Sequence, residues 1–491
     1  MSKAIATNAT TAKSEKSATN RLGQGKVLPL VFKLTIPSIL SQLIIFLYNM
    51  VDRIFVSKIG DGGTDALAAL GIVLPVTLIM QAFANLIGMG APPRASIKIG
   101  EGDENEANAV FNTSVSLLLV ISILLGAAAF VFARQIVEAF GCPSSAIDYA
   151  VSYLKIYACG TPFVMLMQGL NPFITAQGYS FFSMISVCIG ALLNVLLDPL
   201  FIFVFRMGVA GAALATVLSQ LVSCVWIICF FSTKKSVFRF DVSKMKLKLS
   251  RVLSIFSLGV SPFFMTLTEC AIQIVFSVNL KRATFDNSDY TAALTIMLSA
   301  LQFISLPLNG LGYGMQPFVS YNYGTGDEKR LKEGIKDVTI IAFIFAAVLW
   351  SVSIAVPQAY ARIFSASAPV AQIVKSYAPL FLMGSIMFFV QMTLQDINVA
   401  LGQGKTALLL AFLRKIVILI PLCYILTHFY GAKGVYLSEG IADFVAGAIT
   451  AVTFLITFPR VFKRRAEEVR QKALNAANDT TIPAQPPQTE Q

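Results

Sequence analysis

A chain of 491 residues that is 56% hydrophobic and only 13% charged cannot clothe a soluble surface, where charged residues ordinarily make up about a quarter. Its net charge of +12, from 38 Lys and Arg against 26 Asp and Glu, could suit nucleic acid, but the bases cluster beside apolar runs, as they do on the inner side of a membrane protein. One histidine, His428, and seven scattered cysteines give no metal-ligand spacing and no Ser/His/Asp constellation, so neither a cofactor nor enzyme chemistry is expected.

In chain order, residues 1–29 are rich in Ser, Thr, Asn and Ala and read as a disordered tail with no cleavable signal. Twelve apolar runs follow, at about 30–56, 66–90, 109–134, 149–173, 183–205, 208–231, 255–281, 291–317, 336–360, 372–400, 406–429 and 434–458. Each is long enough to cross a bilayer as a helix, which needs about 20 apolar residues. The expected fold is all-α, with twelve transmembrane helices and both termini on one side.

The segment 232–253 divides the runs six and six. It holds seven bases (Lys234, Lys235, Arg239, Lys244, Lys246, Lys248 and Arg251) against one acid, Asp241. With the basic residues 460–465 it marks the cytosolic side of a cell membrane by the positive-inside rule. The reading is therefore a six-helix lobe over 30–231, a basic linker over 232–253, a second six-helix lobe over 254–460 and a cytosolic tail over 461–491. The loops near 57–65, 135–148, 282–290, 361–371 and 430–433 fall outside.

The lobes repeat one another. Asn85–Glu104 lies over Asn309–Glu328 at a constant offset of 224 residues, with Asn85, Gly88, Gly90, Pro93, Ser96, Gly100, Gly102, Asp103 and Glu104 all matched. A fainter echo sets Gly208, Gly211 and Leu214 over Gly431, Gly434 and Leu437. An even number of helices per lobe makes the repeats parallel, a plan that recurs in transporters with a site between or within two rocking bundles. A scaffold or receptor has no need of such duplication.

An ionisable residue deep in a span costs about 2.5–3.5 kcal/mol on insertion scales, so each acid needs a partner, water or a task. Asp52 lies some 30 Å along the first helix by its rise, in the outer half of the membrane. Its plain reading is a helix-end acid paired with Arg53 or Lys58. Asn194 and Asp198 share one face of the fifth helix at i, i+4, and Pro199 cannot donate to the Val195 carbonyl, which leaves an acceptor beside the acid. The plain reading is a solvated, proline-kinked helix end. The functional reading is two carboxyls and a carbonyl that share a proton or hold a sodium ion. Glu269 has no base within ten positions and reads as a lone mid-membrane acid, protonated or lining water. Asp396 in the tenth helix is a weaker candidate, and Glu439 and Asp443 read as packing groups. Pro37 is a kink or a hinge. Gly402–Thr406 imitates the end of a phosphate-binding loop, but Val399 stands where that loop needs glycine, and no soluble ATPase domain exists.

These residues carry a resemblance. Pro37 with Val51–Val56, Asn171–Gly178, Asn194–Pro199 and Gly211–Gln220, in this order and spacing over about 30–460, are similar to the MATE (multidrug and toxic compound extrusion) transporters, most nearly the DinF-like and MepA-like prokaryotic branches. The resemblance implies two six-helix lobes in a monomer that exports organic cations in exchange for protons or sodium ions. In the DinF-like branch the cation site would involve Tyr48, Asp52, Asn171, Asn194, Asp198 and Thr216, with helix one bending near Pro37. In the NorM-like branch acids of the second lobe serve. Glu269 fits that pattern, whereas Asp396 falls one turn from the matching position, near Met392. A flippase for a lipid-linked saccharide precursor is the alternative; it would line its cavity with Arg or Lys to hold a pyrophosphate.

Overall fold

The computed structural model describes residues 22–57, 59, 63–140, 142–285, 287–364 and 367–480. Among them there is no strand, and twelve helices are long and apolar enough to cross a membrane, with mean hydropathy from 1.3 to 2.6. A backbone in lipid must satisfy its own polar groups, and apolar segments of this length do so as helices. The spans are α1 (Val27–Ser57), α2 (Ala69–Gly100), α3 (Glu104–Val131), α4 (Ile147–Ala176), α5 (Ser180–Val204) and α6 (Gly208–Ser232). The second set is α7 (Leu249–Ala283), α8 (Ser288–Thr325), α9 (Glu328–Ala355), α10 (Ala368–Ala400), α11 (Gly404–Tyr430) and α12 (Ala432–Thr480).

The repeat is deeper in the fold than in the sequence. α3 and α9 begin and end 224 residues apart, and so do two short helices, Ala133–Ala139 and Pro357–Ile363, which share no residues at matched positions. These short helices occupy stretches expected to be loops. Ser96 donates to the Ala176 carbonyl (3.3 Å) and Ser320 to the Ala400 carbonyl (2.9 Å), the same bond in each lobe. Asp103 and Asp327 cap α3 and α9, each accepting a backbone N–H at 3.0 Å, after glycines at φ 79° and 78°.

Helix one belongs to both lobes. Val27, Val31, Leu34 and Ile39 pack in the apolar core of the second lobe, with Leu308, Leu311 and Met315 of α8, whereas Tyr48 and Asp52 line a cavity of the first. Pro37 stands at the changeover within an unbroken helix, and its carbonyl accepts from Ser41 Oγ at 2.8 Å. The boundary at residue 30 is thus corrected: residues 22–29 are ordered because Arg330 and Asn322 of the second lobe hold the Leu22 carbonyl and Arg330 the Gly25 carbonyl. The expected tail after 460 is likewise helical to Thr480. The rest of both tails, 1–21 and 481–491, lies outside the described residues.

The basic linker is anchored rather than loose. Asn112 of α3 donates to the Arg239 carbonyl and accepts from the Asp241 N–H, both at 2.9 Å, and Phe238 is fully buried against Phe111, its ring stacked at 5.4 Å.

Candidate functional site

The first lobe encloses a cavity of about 420 Å³ in the half of the membrane away from the termini. Its polar lining is Tyr48, Asn49 and Asp52 of α1, Thr77 and Gln81 of α2, Tyr153, Tyr157 and Gln168 of α4, and Thr216 and Gln220 of α6. Asp198 is fully buried in the wall behind it, and Asn194 nearly so. Asn194 Nδ2 donates to Asp198 Oδ1 (3.3 Å) and lies 3.4 Å from Thr216 Oγ1, which itself bonds the Ala212 carbonyl at 3.1 Å. Asp52, on the cavity lining, lies close enough to Asp198 for their charges to interact. Two carboxyls so placed repel when both are charged, and a proton or a small cation between them relieves the repulsion. Asn194 Oδ1 is buried with no hydrogen-bond partner among the described residues, an acceptor aimed into the same cluster.

Local sequence explains the placement. The i, i+4 step puts Asn194 and Asp198 on the buried face of α5, and Pro199 ends the α-helical stretch there, which continues as a π-helix over Leu200–Val204. The side chains of Arg53 and Lys58, the partners considered for Asp52, lie outside the described residues.

Five of the six first-lobe candidates thus converge: Tyr48, Asp52, Asn194, Asp198 and Thr216. Asn171 does not. It accepts from Ser186 Oγ at 2.8 Å, two turns of α5 or about 12 Å of helix from Asn194. It lines a second cavity of about 310 Å³ with Ser38, Gln42, Tyr313 and Gln316. The two cavities share Ile45, Gln81, Met167, Gln168 and Val187, so they lie end to end along α1, α2, α4 and α5. Tyr153 and Tyr157, stacked at 6.2 Å, were missed in the sequence. Two tyrosines at i, i+4 in a span are the signal that could have found them.

The second-lobe candidates are separate from one another. Asp396 lines a small cavity of about 70 Å³ between the lobes, with Asn85, Thr266, Tyr313 and Gln395. Met392, one turn earlier, lines the same space. Glu269 is not the lone acid that its neighbours in sequence suggested. Lys415 of α11 pairs with it, and Arg414 beside Lys415 pairs with Asp443 (2.5 Å) and Glu439 (3.5 Å). Lys415 lies 146 residues from Glu269, beyond any local window. Among the described residues, none that lines the three cavities is Lys or Arg.

On the face that carries both termini the lobes are closed. Arg465 of α12 pairs with Glu101 of the first lobe at 2.8 Å and donates to the carbonyls of Gly324 (2.7 Å) and Tyr323 (3.1 Å).

Comparison with known proteins gives a consistent result. The MatE family model matches twice, over 37–200 and 263–425, once in each lobe. The multidrug export protein MepA of Staphylococcus haemolyticus (strain JCSC1435) is 28% identical over 426 residues, 86% of this chain and 92% of that protein. MepA of Staphylococcus aureus (strain MRSA252) is 27% identical over 413 residues, 83% of this chain and 89% of that protein. Among solved structures, an outward-facing multidrug resistance MATE family transporter of the MOP superfamily superposes with TM-score 0.84 at 21% identity, over 90% of this chain and 98% of that one. A MATE protein in complex with MaD3S gives TM-score 0.85 at 21% identity, over 91% and 99%. At such identity the structural likeness speaks to the fold.

Proposed function

The chain belongs to the MATE family of membrane transporters, and from that premise we propose that it is a secondary active multidrug efflux antiporter that exports organic cations in exchange for protons or sodium ions. The coarse reading, multidrug efflux, draws on relatives named as multidrug export proteins. The finer reading rests on one observation: Asp52 and Asp198 lie within charge–charge range of each other, with Asn194 and Thr216 beside them, at the wall of a cavity lined by no base among the described residues.

In this reading the coupling ion enters from the side away from the termini and settles between the two carboxyls. It cancels their charge and their attraction for a cationic substrate in the cavity beside them. Helix one is the mechanical link. Its second half carries Asp52 and its first half is bonded into the other lobe, with Pro37 between. A shift at Asp52 is therefore passed to the lobe interface. Basic residues beside the termini and in the linker support a cell-membrane topology with both termini in the cytosol. The route runs within one chain, so a monomer suffices. The flippase reading is disfavoured because the buried bases, Arg414 and Lys415, are matched by acids of their own lobe.

The test is ethidium efflux from energised vesicles, comparing wild type with Asp52→Asn and Asp198→Asn while sodium and a protonophore are varied separately. Loss of efflux in both variants, with dependence on one ion, is the expected result. Normal efflux in both variants would remove the first-lobe site.

A further inference from the structure

We infer that Lys415 is a tethered counter-ion: it pairs with Glu269, yields that carboxylate to an arriving organic cation, and moves to Glu439. The inference rests on the reading that the protein carries organic cations.

Five ionisable residues cluster inside the second lobe, away from the Asp52 cavity: Glu269 on α7, Arg414 and Lys415 on α11, Glu439 and Asp443 on α12. Adjacent residues of an α-helix point about 100° apart, so two neighbouring bases seldom both face inward. Here α11 is a π-helix over Leu413–Leu419, which rotates both bases into the bundle, and both are buried. Such interruptions are frequent at functional sites.

The cluster holds three acids and two bases, so it is one positive charge short. Its two halves differ in access. The Glu269 side chain is 58% exposed and Lys415 only 3%, so the acid is the more accessible member of the pair. Arg414 is committed: its Nε donates to Asp443 Oδ1 at 2.8 Å, and its guanidinium lies over the Phe388 ring at 5.2 Å. Lys415 has somewhere else to go. Glu439 Oε2 and Asp443 Oδ2 are buried without hydrogen-bond partners among the described residues. Both acids lie within charge–charge range of Lys415.

Separating a buried ion pair is costly because each charge is left alone. That objection lapses here. The substrate cation pairs with Glu269, and Lys415 gives Glu439, which shares Arg414 with Asp443, a partner of its own, so the loaded cluster is neutral when its acids are ionised. Lysine suits the task, as a compact charge on a flexible stem, better than the planar, bidentate arginine beside it. A purely structural pair would predict the opposite behaviour, since removing Lys415 would then only loosen α7 from α11.

The test measures ethidium binding by fluorescence anisotropy to the purified full-length protein in lipid nanodiscs. With its competitor removed, Lys415→Met should bind ethidium about ten-fold more tightly, within the usual span of coupling between sites. Glu269→Gln should bind about ten-fold more weakly, and Lys415→Met/Glu269→Gln should match Glu269→Gln alone. Glu439→Gln takes away the lysine's second position; it should weaken binding about three-fold with Lys415 present and have no effect beside Lys415→Met. Unchanged or weaker binding by a folded Lys415→Met overturns the inference. Should that variant not fold, wild-type affinity in Glu439→Gln overturns it instead. If wild type binds no ethidium, the cation reading itself falls and takes this inference with it.

Discussion

Gly100 and Gly324 meet across the seam between the lobes: a Cβ added to either would lie 3.0 Å from the Cα of the other and closer still to a carbonyl, that of Tyr321 or Ile97. They are the same position of the repeat, 224 residues apart, so the axis relating the lobes passes between them. Backbone cannot yield as a side-chain tip can. Gly100→Val should therefore push the lobes apart on the side that carries the termini, at a cost of roughly 1–3 kcal/mol. The readout is alkylation of Gln316→Cys, a buried residue of the second cavity, by an impermeant maleimide added from that side. The expected rise is about ten-fold, by the same free-energy scale. An unchanged rate would mean that the seam does not close the cavity.

Arg465 closes the same face electrostatically. Its side chain is 5% exposed and that of Glu101 11% exposed, and Lys98 also reaches Glu101 at 2.9 Å. Truncating one member of such a desolvated pair costs about 2–5 kcal/mol, largely for the charge left behind. Arg465→Met should lose that much stability, and Glu101→Gln less, because Arg465 retains the carbonyls of Tyr323 and Gly324. The double variant should fall short of the sum of the two, by at least about 1 kcal/mol of coupling. Thermal unfolding in detergent measures all three; additive losses would show that the pair does not act as a unit.

Asp198, Asn194 and Thr216 should separate by role. If Asp198 takes the coupling ion, Asp198→Asn abolishes exchange, leaving less than about a hundredth of wild-type efflux, in line with the loss of several kcal/mol at a buried charge. Asn194→Ala removes a bond at 3.3 Å and an orphaned oxygen, and Thr216→Val removes one weak partner at 3.4 Å. Each should cost about five- to ten-fold in ion affinity, the range of one ordinary hydrogen bond. Efflux rate against pH and sodium concentration checks the order. Thr216→Val as damaging as Asp198→Asn would contradict this assignment.

What was legible in the sequence follows from distance along the chain. The Asn194–Asp198 pair is one helical turn, and a turn can be counted. The 224-residue repeat is a shift of the whole sequence against itself, so it too can be counted, at least where residues are kept. Where they are not, as in Ala133–Ala139 and Pro357–Ile363, only the backbone carries it. The ion pair of Glu269 could not be seen, because Lys415 is 146 positions away and a π-helix decides which way it faces. Asn171 joins the acids only through the family resemblance; its height along α4 sets it beside Ser186 instead. The bend in α1 is a different case, since Pro37 marks a weak point and only the packing of its two halves reveals which bodies it joins.

The linker gives the last prediction. A basic loop of this composition would ordinarily be a solvated tether, and its removal would be tolerated. This one inserts Phe238 into a cluster of Phe111, Phe173 and Phe231, with Phe111 at 5.4 Å and Phe173 at 5.3 Å from its ring. Asn112, fully buried, serves both the Arg239 carbonyl and the Asp241 N–H. Phe238→Ala should therefore destabilise the first lobe by about 3–5 kcal/mol, as for other buried aromatics. Asn112→Ala removes two hydrogen bonds from partly buried backbone groups and should cost about 1–3 kcal/mol. Lys246→Ser, in the same linker but with its side chain in no recorded contact, should change stability by less than about 0.5 kcal/mol. Differential scanning fluorimetry with a thiol-reactive dye suits the comparison, because Cys224 is buried in this same cluster and should become reactive as it opens. Equal stability of all three variants would return the linker to the status of a tether.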